Sequence, residues 1–510
     1  MPFLRKPDFL PVKGINLAVP RTYLPEGFAF PQNLQYFRGE LRKREGKTVL
    51  GTVTLGGQKV IHLDTFILST GNIRLLRFTK KNIQQYNNTT FIWEDITGLN
   101  DMTGLDTDFI SSCVVPESDL FLFTNNRIDN IRKIVDGSNT ANLGGSPPKC
   151  SFLEYLSPYV LAAFTQTGGN DFPTKVQWSG TGTPEVWSGG NSGSQVLADD
   201  PSFIRGLKKL REYVMVYKEL SIYRGRKVST SAIFDFGNGP FSSGKGIYSP
   251  RALATDGENH YYMGLNDFHL NNGIRILDIG GPIREYIFNR LNRSQSSTCH
   301  ALHVEKYKEV WFYITVGAES WPTEVWKYNY EKDFWYFDTC ANIICASSWK
   351  QVTSLTWADT VGTWDQQATF WDDQQGAFGG PRLVYGHDTG FVSQSDVNVL
   401  NDLGAAVDAR LETKDFTGLE HRGIEYDTRW LQFDLWASGD SAKLYYSIDH
   451  GSTWVYVGEN QLSAEVEKST FWLDVIAKHI RFRVQQDGVS KNLLIRSFTP
   501  YFLDAGEIYA

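Results

Sequence analysis

The chain has few of the residues that staple a fold, grip nucleic acid or span a membrane. Its 510 residues include only 5 cysteines: Cys113, Cys150, Cys299, Cys340 and Cys345. This odd, scattered set implies neither a disulfide framework nor a zinc site, and synthesis in a reducing compartment fits it best. Basic residues are not in excess. Lys and Arg number 50 against 57 Asp and Glu, a formal charge of −7, with a pI near 5.8. That is the wrong sign for a protein that holds nucleic acid through its phosphates. The pairs Lys80-Lys81 and Lys208-Lys209 are isolated and read as solvated strand or turn ends. Long apolar runs are also missing. The opening MPFLRKPDFLPVKG lacks the apolar stretch of a secretory signal, and no window offers the roughly 18 consecutive apolar residues of a membrane helix. The expectation is a soluble protein made in a cytoplasm.

What is abundant points to β structure. Aromatics make up 14% of the chain and glycine contributes 46 residues, a combination that favours strands joined by tight turns over helical bundles. At this length one core has stopped growing, so several domains or one large repeat architecture are expected. Residues 1–58 hold Pro2, Pro7, Pro11, Pro20, Pro25 and Pro31 among short apolar groups. They read as an extended N-terminal arm that docks on something else and does not fold alone.

Residues 59–400 carry a coarse repeat of strand, turn and strand. Its units are 66–78 (FILSTGNIRLLRF), 120–135, 159–178, 211–225, 259–277, 308–338 and 381–394. Their spacing, mostly about 40 to 55 residues, is that of a four-stranded propeller blade. A β-propeller with seven blades is the preferred reading, or six if a terminal unit is an insertion. The alternative is a set of unrelated hairpins in stacked sandwiches, because the units share a pattern and not identical signatures. Residues 401–510 alternate strictly, as in HIRFRVQ, where Ile480, Phe482 and Val484 oppose Arg481 and Arg483. That pattern belongs to sheets with one wet face and predicts a C-terminal β-sandwich domain.

Each candidate site also has a structural reading. YSIDHGSTW contains Ser447-x-Asp449-x-Gly451-x-x-Trp454, the Asp-box pattern known from sialidases. Each residue has a structural job: the carboxylate caps a turn, glycine takes positive φ, and tryptophan covers the hairpin. A sialidase also needs an arginine cluster, a tyrosine paired with a carboxylate, and usually several boxes on successive blades. Here there is one box, outside the repeat.

Gly239 to Lys245 has P-loop spacing, but Gly246 stands where Ser or Thr should bind magnesium, and the following GIYSPRAL reads as strand and not as a phosphate-holding helix. His300 and His303 fall in a predicted strand, where residues three apart face opposite ways. Asp372 and Asp373 are adjacent, and so unable to flank one glycosidic bond. No catalytic residue, cofactor or metal is assigned.

One resemblance bears on function. The segment GINLAVPRTYLPEGFAFPQNLQYFRGELRKREGK (14–47), with its G-x-L-x-K-R-x-G, is followed in order by FPTKVQWSGTGTPEVW (172–187), EYVMVYKELSIYRG (212–225) and GIYSPRALATDGENHYYMGLNDFHLNNG (246–273). Together they resemble the tail-nozzle, or tail-hub, proteins of short-tailed bacteriophages across most of the first 400 residues. The resemblance implies a propeller decorated by extra domains and a homo-oligomeric ring, most simply a hexamer. In the virion this ring would extend the DNA-ejection conduit below the portal and adaptor, near tail fibre, spike or needle proteins. DNA would pass through without tight binding, and no membrane insertion is implied. The alternative is a carbohydrate-binding or carbohydrate-active β-propeller protein.

Overall fold

The computed structural model describes residues 4–5, 9–11, 13–25, 27–99, 101–228, 233–350, 381–418, 420–421, 424–425 and 427–504. The fold is all-β. Among the described residues the one α-helix is Arg284–Phe288, the other helical turns being short 3-10 pieces, and no helix is long and apolar enough to cross a membrane.

Seven sheets follow one another along the chain, each containing four antiparallel strands in succession; IV also takes in the short strand Ser242–Ser243, VI continues into strands of the C-terminal region, and VII into Asn401–Asp402 and Ala405–Ala406. Sheet I comprises His62–Ile67, Ile73–Phe78, Ile83–Tyr86 and Trp93–Asp95. Sheet II opens with Ser111–Val115, III with Lys149–Leu156, IV with Ile204–Leu210, V with Leu253–Thr255, VI with His300–Val304 and VII with Ile343–Trp349. Each of the seven hairpin units quoted above lies in a different one of these sheets. GIYSPRAL departs from its expected strand: Ile247 makes an isolated bridge to Gly264, and regular pairing resumes at Leu253.

Aromatic and aliphatic side chains pack each sheet on the next. Phe66 and Phe78 of sheet I meet Phe121 and Phe123 of sheet II. Tyr217 of sheet IV meets Tyr262 of sheet V, and Phe268 of V meets Phe312 and Trp335 of VI. Val325 of VI packs with Leu383 and Tyr385 of VII. The order then returns to its start, because Trp349 and Val384 of sheet VII share a core with Leu63 and Tyr86 of sheet I. Large aromatics suit this role, each covering a wide area across two sheets.

Sheet VII takes its fourth strand from far away. Gly46–Val49 pairs antiparallel with Val392–Asp396, Ser393 opposite Val49. A glycine is needed here. A Cβ on residue 46 would lie 2.2 Å from Asn401 O and 2.7 Å from Val399 O, both backbone atoms that have little room to move.

Most of the remaining strands form two sheets around one core. One has the order Leu34–Phe37, Glu40–Lys43, Leu493–Asp504, Thr428–Gly439, Glu467–Ala477. The other runs Ala29–Gln32, Ala409–Thr413, His479–Gln486, Ser441–Ser447, Val455–Gln461. Ile480, Phe482 and Val484 point inward to Trp430, Phe433 and Leu435, while Arg481 and Arg483 pair with Asp415 and Glu412 on the other face. The segment expected as an arm therefore docks on its own chain. It supplies four strands to these two sheets, Leu4–Arg5 pairing with Leu493–Asp504 among them, and one to sheet VII, and Gln32 also pairs in parallel with Phe337 of sheet VI.

Two predictions follow from packing. Gly46→Ala should destabilise by about 1–3 kcal/mol through overpacking, seen as a lower melting temperature with an unchanged circular dichroism spectrum at low temperature. His260, wholly buried between Tyr217 OH and Lys209 O, and His387, against Phe391, are both pulled by burial to about 4. Protonation then favours the unfolded chain, whose histidines titrate near 6.5. Stability is full above about 6.5 and is lost as pH falls towards 4, and His387→Gln should flatten that decline in melting curves taken between those limits.

Candidate functional site

Alternation along the opening strands sends every second side chain towards the middle of the cycle of sheets. There they line a cavity of about 340 Å³ whose polar wall includes His62, Asp64, Ser112, Lys208, Arg251 and His300. These residues come from sheets I, II, IV and VI and from the entry to V.

Asp64 accepts from Thr65 N at 2.7 Å and from Ser112 Oγ, and His62 Nε2 stands 3.6 Å away. Burial pushes the carboxyl up, but the nearby His62 and the bonds from Ser112 and Thr65 outweigh it and hold it below its usual range. Lys208 Nζ lies 3.3 Å from Glu154, whose charge holds the ammonium above its usual range against the pull of burial. Arg251 donates to Ile344 O at 3.0 Å. His300 is 4% exposed and stacks on Tyr313 with ring centres 4.3 Å apart. Burial, and then Arg251, keep it neutral. Cations, a carboxylate and neutral imidazole thus face one space, an arrangement suited to holding a small polar ligand. Among the described residues no three His, Cys, Asp or Glu side chains gather as a metal site, and all five cysteines are buried free thiols.

The sequence-predicted residues sit elsewhere. Ser447, Asp449, Gly451 and Trp454 form the turn between Ser441–Ser447 and Val455–Gln461. Asp449 Oδ1 accepts from Ser447 Oγ at 2.7 Å and Thr453 N at 2.9 Å, and Oδ2 accepts from Thr453 Oγ1 at 2.6 Å. Bonds from Thr453, then from Ser447, hold the carboxyl well below its usual range. Gly451 has φ +92°, and Arg483 lies 3.8 Å above the Trp454 ring. Every polar atom of the aspartate is spent on the turn.

The Gly239–Lys245 loop opens no helix, and Lys245 pairs with Asp278 at 2.5 Å. His303 turns away from His300 and meets Tyr330 OH at 3.1 Å. Asp372 and Asp373 lie outside the described residues. Lys80 stands 3.7 Å from Asp106, whereas Lys208 lies within a strand and faces the cavity, not a solvated end.

A second polar cluster ties the N-terminal segment to the other sheets. Gln35 donates to Glu309 at 3.1 Å and accepts from Lys327 at 3.1 Å, and Lys327 pairs with Asp338 at 2.5 Å. Arg44 grips Asp402 with bonds of 2.9 and 2.5 Å, and Lys47 adds a third at 3.0 Å. Burial beside Arg44 pulls Lys47 down to about 8. Burial would raise the carboxyl of Asp402, yet Arg44 and Lys47 hold it well below its usual range. These groups pair with one another and brace the structure.

No family model and no curated protein matches the chain. Among solved structures it is similar to PorZ, a bacterial surface component of the type-IX secretion system of Porphyromonas gingivalis, at 10% identity and a TM-score of 0.32, over 80% of this chain and 46% of that one. The chain thus spans less than half of PorZ. It is also similar to an exo-β-1,3-galactanase from Phanerochaete chrysosporium, at 10% identity and a TM-score of 0.26, over 89% of this chain and 100% of that one. A third similarity is to the extracellular domain of the putative hybrid two-component system BT4673 from B. thetaiotaomicron, at 11% identity and a TM-score of 0.33, over 58% of this chain and 38% of that one. Likeness at this level carries no argument about function.

Asp449→Ala should lower the melting temperature of the C-terminal sheets and leave any binding activity unchanged, as checked by thermal melting beside a ligand-binding assay. Lys327→Met breaks a buried pair and should cost about 3–5 kcal/mol, measured by denaturant titration.

Proposed function

We propose that the chain is a seven-bladed β-propeller joined to a C-terminal β-sandwich, and that it serves as the nozzle or hub subunit of a short phage tail. The sheet cycle described above supports the propeller, since seven four-stranded units in chain order are what such a fold requires. The observation that carries the function is the segment 14–47, where the resemblance to tail-nozzle proteins begins. It braces the chain's own sheets, which frees the outer faces for neighbours. The strand Glu467–Ala477 runs along one sheet edge and carries Trp472, 66% exposed, and Ile476, 58% exposed, and the paired strand adds Trp436 opposite Lys468. Large apolar side chains left in water on an edge suit burial against another copy.

In this reading identical subunits close into a ring, a hexamer in the simplest case, within the virion. The adaptor sits above it, and fibre, spike or needle proteins are nearby. Each subunit brings a formal charge of −7, which suits a conduit that duplex DNA traverses without being held.

Negative-stain micrographs of the purified protein should contain closed rings, and Trp472→Asp should yield folded monomers. Particles that stay monomeric at every concentration would end this reading. A second reading, a carbohydrate-binding protein, draws on the same aromatic face, where Gln432 and Asp434 lie beside the tryptophans. Saturable glycan binding that is lost in Trp472→Ala, in the absence of rings, would favour it.

A further inference from the structure

The axial cavity holds polar groups that the surrounding fold does not use up. Arg251 stands at the entry to sheet V and bridges in parallel to His300, with Ala301 N donating to its carbonyl at 3.0 Å. One guanidinium nitrogen serves Ile344 O. Among the described residues no carboxylate pairs with Arg251, and its electrostatic neighbours are the thiols of Cys345 and Cys299. A guanidinium offers five N–H donors in a planar fork, so most of the fork remains available. His300 gives its Nδ1–H to Thr298 O at 3.3 Å and leaves Nε2 with no partner. With the proton on Nδ1, Nε2 is an acceptor. Lys208 adds an ammonium that Glu154 holds in position.

An uncompensated cation beside an unused acceptor narrows the ligand class. A plain anion would satisfy Arg251 but leave the His300 lone pair facing an oxygen. A neutral alcohol would satisfy His300 but leave the guanidinium unmatched. Water could serve each group separately, yet the half-buried cation still gains most from a negative partner.

We propose that the axial cavity is a binding site for a small oxyanion that carries a hydroxyl, with hydrogen phosphate as its simplest member. Arg251 donates to the charged oxygens, the ligand O–H donates to His300 Nε2, and Lys208 supplies further attraction. Asp64, the carboxylate on the same wall, is engaged by Thr65, Ser112 and His62, which spreads its charge away from the ligand. The cavity, about 340 Å³, has room for such an ion with its remaining waters. The site is independent of ring assembly and of the phage reading.

The test is calorimetric titration of the full chain at neutral pH with inorganic phosphate and, separately, with sulfate. Saturable single-site binding of phosphate is expected, with sulfate at least about tenfold weaker because it lacks the hydroxyl that His300 accepts. Arg251→Gln should weaken phosphate at least about tenfold, whereas Arg226→Gln, on an exposed strand end, should leave it unchanged. If Arg251→Gln does not fold, the His300 ring resonance of the wild-type chain decides. A shift that saturates with the calorimetric affinity supports the site, and a resonance indifferent to phosphate overturns it. Absence of saturable phosphate binding, equal affinity for sulfate, or unaltered binding by folded Arg251→Gln would each overturn it as well.

Discussion

The structure depends on desolvated charges that are stable only when all their partners arrive together. Arg44, Lys47 and Asp402 form one such set, and Gln35, Glu309, Lys327 and Asp338 another. Taking each ion out of water costs several kcal/mol, and mutual attraction offsets this only when geometry is good and the remaining donors are satisfied. The N-terminal segment supplies Gln35, Arg44 and Lys47, while sheet VI and the approach to the C-terminal sheets supply the rest. Displacing the segment would leave Asp402 without Arg44 and Lys47 and would take from Glu309 the bond of Gln35. The segment is therefore held in one position by an electrostatic penalty as much as by its strand pairing.

This brace explains how two regions of different design act as one body. The seven-sheet cycle is glued by aromatics between neighbouring sheets, and the C-terminal pair of sheets by a core of Phe433, Phe482 and Phe498. Tyr36, from the N-terminal segment, packs against both cores. Continuity comes through Ala29–Gln32, which pairs with Ala409–Thr413 on one side and touches Phe337 on the other. Asn33 adds a donor to Thr339 Oγ1 at 3.0 Å and another to Asp408 O at 2.8 Å. A hinge at this place would have to break pairing and bonds to both regions.

The strands of the seven hairpins were legible because alternation and aromatic content leave a strong local mark, and the same holds for HIRFRVQ. The turn chemistry of Asp449 and Gly451 was also readable, since a carboxylate two residues before glycine has few other uses in a hairpin. The role of residues 1–58 was not. Its strands are four residues or shorter, too brief for periodicity, and their partners lie hundreds of positions away. The axial residues escaped for a related reason. His62 and Asp64 share one strand, while Lys208, Arg251 and His300 come singly from other units, and only the packing of the sheets brings them to one wall. The one available signal was a polar residue recurring in the opening strand of successive units, which in a single strand looks like an ordinary wet face.

The pairing of Gly46–Val49 with Val392–Asp396 also sets a timetable. A ribosome makes the closing strand first and its partner more than three hundred residues later, an interval of about 20–70 s at ordinary rates of synthesis. During that time the strand edge and the charges of Arg44 and Lys47 have nothing to bind, and the nascent chain must keep them in water while six sheets form. The proline-rich, polar character of the first residues suits that wait. It resists premature strand addition, and it leaves closure of the molecule as one of the last events of biogenesis, so that incompletely made chains remain recognisably open.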